Sequence, residues 1–226
     1  MVRDPSSEIL SKRSRVHLRG ARWEKFNRRM MPIMKASVEL ANTTALAQKS
    51  KGELFRYFPI AVVGALEGYF RIAYADLINS GEPYAGRVRD FQDMKFRPSA
   101  VLAIQGRRVS AGELIAHLLP HNSFTDIETN MSVLLGNKFS STLSSKEFSG
   151  IAILARGLNP WPALVSDITE MFKLRHIFCH ELATKVRLST SRSYQLCQAG
   201  VLLAMMTDIL LTDLLDKGKP LPMITA

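Results

Sequence analysis

The run LRHIFCHEL, residues 174–182, places one arginine and two histidines within six positions. On a helix turning about 100° per residue, Leu164, Ile168, Met171, Phe172, Phe178, Cys179 and Leu182 form one apolar stripe, and Arg175 falls in its middle. A guanidinium is among the costliest groups to place on a buried face. Three resolutions are open. Arg175 pairs with a buried carboxylate, for which Glu67 on another long helix is the candidate. Or it snorkels to an edge. Or the stripe opens there onto a cleft that holds an anion. His176 and His180 stand one turn apart on the flank beside it. A fixed cation next to two imidazoles is the equipment for binding a phosphate and moving protons.

Other chemistries fit these residues less well. His176 and His180 have the i, i+4 spacing of a zinc chelate, with Glu181 adjacent, and His117 and His121 repeat that spacing across Pro120. Neither pair has an identifiable third ligand, so no metal or other cofactor is expected. Cys179 precedes His180, but sequence neighbours on a helix diverge by about 100°. Cys179 is therefore expected to be a small buried hydrophobe, not a nucleophile.

The elements that must carry these groups are helices. A helix is expected from Ala21 through about residue 48, with Trp23, Phe26, Met30, Ile33 and Met34 at helical spacing and Pro32 inside it. Residues 48–53 read as a connection. Residues 55–79 read as a long helix with Pro59 in its first turn and a stripe of Val62, Val63, Leu66, Phe70, Ala73 and Leu77. Gly64 and Gly68 lie on another side, where a neighbouring helix could come close. Residues 80–108 read as loop with short helical pieces. Ser110 and Glu113 form a capping box for a short helix ending near Pro120. A second short helix covers about 125–135. Residues 139–149 read as a connection, with Ser144 and Glu147 as a further box. Pro160 opens a long helix over 161–187, residues 189–193 break it, and a final helix covers 193–215. No strand pattern is present. The fold class is all-α, a helical bundle with two long core helices and shorter accessory ones.

The chain has 226 residues, 46% of them hydrophobic and 22% charged, which excludes a disordered or low-complexity protein. Two cysteines outside any CxxC exclude a disulfide scaffold and point to a reducing cytoplasm. The N-terminal twenty residues lack the apolar segment of a secretory signal. The most apolar runs, 59–66 and 199–206, are shorter than the ~18 residues of a spanning helix, so no membrane association is expected. The net charge of +10 is concentrated. Residues 1–30 hold nine Lys/Arg against three Asp/Glu, and residues 84–108 hold six against two. Such an excess points to a polyanion partner, nucleic acid before a membrane surface. A basic N-terminal arm and helix, 1–50, is thus distinguished from a bundle, 51–226.

At residues 174–182 the chain resembles the HEPN family (higher eukaryotes and prokaryotes nucleotide-binding domains), whose motif is an Arg, four to six residues, then a His. Arg175 and His180 are the only such pair in the chain, with His176 at the polar position after the arginine. The helix AVVGALEGYFRIAYADL is similar to the family's first core helix, which often carries a Glu where Glu67 stands. The resemblance covers about residues 53–216. It implies a HEPN-like up-and-down bundle, a homodimer, and metal-independent cleavage of RNA to 2′,3′-cyclic phosphate and 5′-hydroxyl ends. Arg175 would clamp the phosphate and His180 would act as acid or base. His176 would orient His180 or contact RNA, and Glu67 would support Arg175. On one helix Arg175 and His180 point about 140° apart with an axial offset of about 7.5 Å, and the resemblance implies that two protomers sharing one cleft complete the site. Arg28, Arg29, Arg87, Arg89, Arg107 and Arg108, in the basic stretches, would hold flanking RNA phosphates. A neutralising antitoxin partner and a role in antiviral defence, toxicity or stress response are common in the family. The alternative expectation is a non-catalytic RNA-binding or regulatory dimer on the same fold.

Overall fold

The computed structural model describes residues 21–91, 98–106, 109–144, 160–181 and 186–217. Among these the regular structure is entirely helical. In chain order it comprises α1 (Ala21–Asn42), α2 (Gln48–Phe55), α3 (Tyr57–Asn79), a 3₁₀ turn (Gly86–Asp90), α4 (Pro98–Gln105), α5 (Ala111–Leu118), α6 (Phe124–Leu135), α7 (Phe139–Leu143), α8 (Pro160–His180) and α9 (Thr190–Lys217).

Four long helices, α1, α3, α8 and α9, of 21 to 28 residues, build the bundle, rather than two. Helix α3 is central. It packs against α1, α5, α8 and α9, and α9 also packs against α1 and α8. Every residue of the expected α3 stripe is buried, as are Tyr69, Tyr74 and Ile78, so α3 is covered on several sides and not along one stripe. Full burial of one such side chain is worth ~1.5–3 kcal/mol, which makes α3 the main anchor of the fold. Phe26 and Met30 are buried in the same core, so residues 21–42 share it with the helices after residue 50.

Polar contacts tie the four long helices together. The Arg22 side chain, 2% exposed, donates from Nη1 to Asp76 on α3 at 2.7 Å and from Nε to Asp208 on α9 at 3.0 Å. The Tyr69 hydroxyl donates to the same Asp208 oxygen at 3.2 Å. Arg192, near the start of α9, pairs with Asp167 at 2.8 Å and with Glu170, both on α8. Asp167 and Asp208, the most enclosed of these carboxylates, thus each have a cation, the condition for such groups to be tolerated.

Several boundaries differ from the sequence reading. Residues 48–53 belong to helix α2, whose Phe55 is buried against the bundle. Residues 139–143 form α7, held at its start by Ser132 Oγ, which accepts from the Phe139 backbone N–H. The Ser144–Glu147 box lies outside the described residues. Helix α1 stops at Asn42, α8 stops at His180, and α9 begins at Thr190 with Ser193 buried inside it. Gly64 and Gly68 are not close approaches: a Cβ at Gly68 would meet nothing, and one at Gly64 only the tip of Arg29. Tight contacts between helices lie instead at Gly200, where a Cβ would be 2.5 Å from Val62, and at Gly112, where it would be 2.6 Å from the Ala75 carbonyl oxygen. The Ser110–Glu113 box forms as expected, and Ser123 with Asp126 makes a second one at the start of α6.

Residues 190–216, nearly all of α9, are long and apolar enough to cross a membrane by length and composition. The apolar run of 199–206 is thus part of a longer apolar helix than the sequence analysis expects. Half of the most apolar window is buried inside the bundle, where Leu196, Cys197, Leu203, Met206 and Leu211 join the common core.

Candidate functional site

Helix α8 is buried at Leu164, Ile168, Met171 and Phe172, and Leu174 beside them is also buried. From Arg175 onward the burial fades. Phe178 is only partly buried, and Cys179 is exposed, not the buried hydrophobe expected from the wheel. The stripe opens at its C-terminal end, and Arg175 stands where it opens.

The Arg175 side chain is 27% exposed and lies 3.5 Å from Glu67 Oε1, whose side chain is 18% exposed. Two of the three resolutions thus coexist: the guanidinium faces a carboxylate and still reaches solvent. The contact is an ion pair without a hydrogen bond, since Glu67 Oε1 is buried and has no hydrogen-bond partner. A charge-assisted bond between these groups would measure ~2.7–2.9 Å. Arg175 is therefore attracted by Glu67 but not clamped to it.

His176 and His180 are both exposed, with ring centroids 5.1 Å apart. They present imidazoles on the open flank of the helix that carries Arg175. Near this end of the helix, Arg56 lies over the Phe178 ring at 5.9 Å and donates to the Val186 carbonyl oxygen at 3.0 Å. That contact joins the end of α8, the α2–α3 junction and the segment leading into α9.

Two residues not expected from the sequence stand beside Glu67. Arg71, one turn further along α3, donates from Nη2 to His121 Nε2 at 2.6 Å. His121 Nδ1 lies 2.9 Å from the Leu119 carbonyl oxygen. A carbonyl only accepts and a guanidinium only donates, so His121 is the neutral tautomer with its proton on Nδ1. Burial pushes its pKa below the ordinary value of 6.5; the Arg71 charge acts in the same direction, against the Leu119 carbonyl and the Glu67 and Asp126 carboxylates. The signal in the sequence was the i, i+4 spacing of Glu67 and Arg71. The placement of His121 depends on the turn between α5 and α6, which no local pattern specifies.

The arginines expected to bind RNA divide into three groups. Arg28, Arg29 and Arg89 are exposed, with Arg28 paired to Glu24 along its own helix. Arg87 is engaged in the fold: Nη1 donates to the Leu134 carbonyl oxygen at 2.8 Å, and the guanidinium covers Gly136, the left-handed residue (φ 69°) that ends α6. Arg107 and Arg108 lie outside the described residues.

Among the described residues no group of three His, Cys, Asp or Glu side chains is close enough to hold a metal ion. Both nitrogens of His121 are already occupied, which removes it from the His117–His121 chelate. No family model matches the chain, and neither does any curated protein or solved structure.

Proposed function

We propose that the chain is a metal-independent endoribonuclease of the HEPN type that acts as a homodimer. The observation that carries this reading is Arg175: a guanidinium at the end of an apolar stripe, loosely paired with Glu67 and open to solvent, on the helix that presents His176 and His180.

Cleavage of RNA without a metal needs a base for the 2′-hydroxyl proton, an acid for the departing 5′-oxygen, and a cation for the charge gathering on the phosphoryl oxygens. In this reading a histidine takes the 2′-hydroxyl proton, the 2′-oxygen attacks phosphorus, and the bond from phosphorus to the 5′-oxygen breaks. A second histidine gives that oxygen a proton. The products are a 2′,3′-cyclic phosphate and a 5′-hydroxyl. His180 serves as acid or base, His176 orients it or contacts RNA, and Arg175 holds the phosphoryl oxygens. The roughly 140° divergence of Arg175 and His180 on one helix is the reason for two protomers: motifs side by side would supply two arginines and two imidazoles to one cleft. The exposed Arg28, Arg29 and Arg89 would add sequence-independent attraction for the strand.

The test is cleavage of RNA in EDTA by the wild-type chain, Arg175→Ala and His180→Ala. Activity in the wild type and its loss in both variants is expected. Equal activity in all three removes the mechanism. Binding of RNA without cleavage by any of them favours the non-catalytic RNA-binding dimer.

A further inference from the structure

Arg71 and His121 have no part in the reaction as written, yet Arg71 stands one turn along α3 from Glu67, the carboxylate that faces Arg175. The turn that carries His121 is fixed from both sides. Asn130 donates to the Pro120 carbonyl oxygen at 2.6 Å, and the backbone N–H groups of Asn122 and Ser123 each donate to Asp126 at 3.0 Å. The imidazole is therefore a rigid acceptor, and it fixes one end of the Arg71 guanidinium.

The rest of that guanidinium is under-used. Arg71 Nε is buried and has no hydrogen-bond partner, and Glu67 Oε1, one turn earlier on the same helix, is also buried without one. Buried polar atoms left unpaired in a folded protein call for a physical reason, one being a group that arrives later. The balance of donors points the same way. Arg71 and Arg175 bring more N–H groups than one imidazole nitrogen and one loosely held carboxylate can accept. A planar guanidinium fork suits a phosphoryl group, which supplies several acceptor oxygens at once.

We propose that Arg71, held by His121, is a second cation of the same anion site as Arg175, and that the two guanidiniums, with Glu67 facing Arg175 and standing one turn from Arg71 on α3, take a phosphodiester of a nucleic-acid strand. The choice of ligand rests on the ribonuclease reading; the presence of an anion site at Arg71 does not. A purely structural Arg71 would only brace the turn at residues 119–122.

The experiment measures binding of a short RNA whose 2′-hydroxyls are all methylated, which cannot be cleaved by 2′-oxygen attack, to the full chain by fluorescence anisotropy across a salt series. Arg71→Gln and Arg175→Gln are each expected to weaken binding about tenfold and to lower the slope of log Kd against log salt by about 1. The double variant is expected to lose less than the product of the two, because both hold one phosphate. Arg71→Lys keeps the charge and loses the fork, so it serves if Arg71→Gln does not fold; a several-fold loss is expected. Wild-type binding and an unchanged salt slope in a folded Arg71 variant overturn the proposal. Cleavage of unmodified RNA by the wild-type chain is followed in parallel. If nothing is cleaved while both arginine variants lose binding, the anion site stands and the ribonuclease reading fails. If RNA is cleaved while the Arg71 variants bind as the wild type does, only the present proposal fails.

Discussion

The Arg175 guanidinium and the Glu67 carboxylate face each other at 3.5 Å across the contact of α8 with α3, near enough to attract and too far apart to share a hydrogen bond. A carboxylate so placed sets the direction of a cation without saturating it. It also repels any anion that approaches. Replacing Glu67 by Gln keeps the shape and removes that repulsion, so methylated RNA is expected to bind several-fold more tightly. Cleavage is expected to slow, because Arg175 loses its orientation. Anisotropy and a cleavage assay on the same preparation check both. Weaker binding by Glu67→Gln would show instead that the carboxylate is needed to hold the arginine in place.

Arg22 has a different role. It is buried between Asp76 and Asp208, far along the chain from the residues proposed for chemistry. Arg22→Ala leaves those two carboxylates without their cation and is expected to cost ~3–5 kcal/mol in urea unfolding. Binding of RNA per folded molecule should not change.

The packing of α9 on α3 is tested at Gly200. A methyl group there would lie 2.5 Å from Val62 Cγ1, inside any real carbon contact. Gly200→Ala is expected to destabilise the fold by ~1–3 kcal/mol through overpacking. Val62→Ala in the same chain should recover part of that loss, which a double-mutant cycle of unfolding free energies measures.

His121 makes stability depend on pH. Burial, its largest influence, lowers its pKa below the ordinary 6.5. Above 6.5 both the folded and the unfolded chain hold it neutral, and it contributes no slope. As the pH falls below 6.5, the unfolded chain gains a proton before the folded one does, so stability declines until the lowered folded value is passed. Urea midpoints from about pH 7.5 to about pH 5.5 should therefore fall less steeply in His121→Gln than in the wild type. Parallel slopes would contradict the buried neutral imidazole.

Much of this arrangement was legible from the sequence. The stripe of α3 and the Ser110–Glu113 box are local patterns, with helical spacing or a three-residue reach, and both form. Glu67 as the partner of Arg175 was legible because Arg175 falls on the apolar stripe of α8 and so calls for a carboxylate, which the other long core helix offers at Glu67. The C-terminal part of α8 was not. A helical wheel gives the direction of a side chain but not how far the covering helices extend, so Cys179 was placed inside and is exposed. Gly112 and Gly200 are tight contacts because of what crosses them, which spacing along one helix cannot reveal. Arg71 and His121 are fifty positions apart and meet through the turn between α5 and α6, a tertiary placement that no local pattern carries. The even split of α9 between core and surface likewise depends on which helices lie against it.

Cleavage of RNA at this site by attack of the adjacent 2′-oxygen is the proposal on which the other readings of Arg175 depend. The most direct measurement is end-group analysis of RNA incubated in EDTA with the wild-type chain and with Arg175→Ala. Expected are 2′,3′-cyclic phosphate and 5′-hydroxyl ends from the wild type and intact RNA from the variant. Fragments bearing 3′-hydroxyl and 5′-phosphate ends, or the same cyclic ends in equal yield from Arg175→Ala, would contradict it.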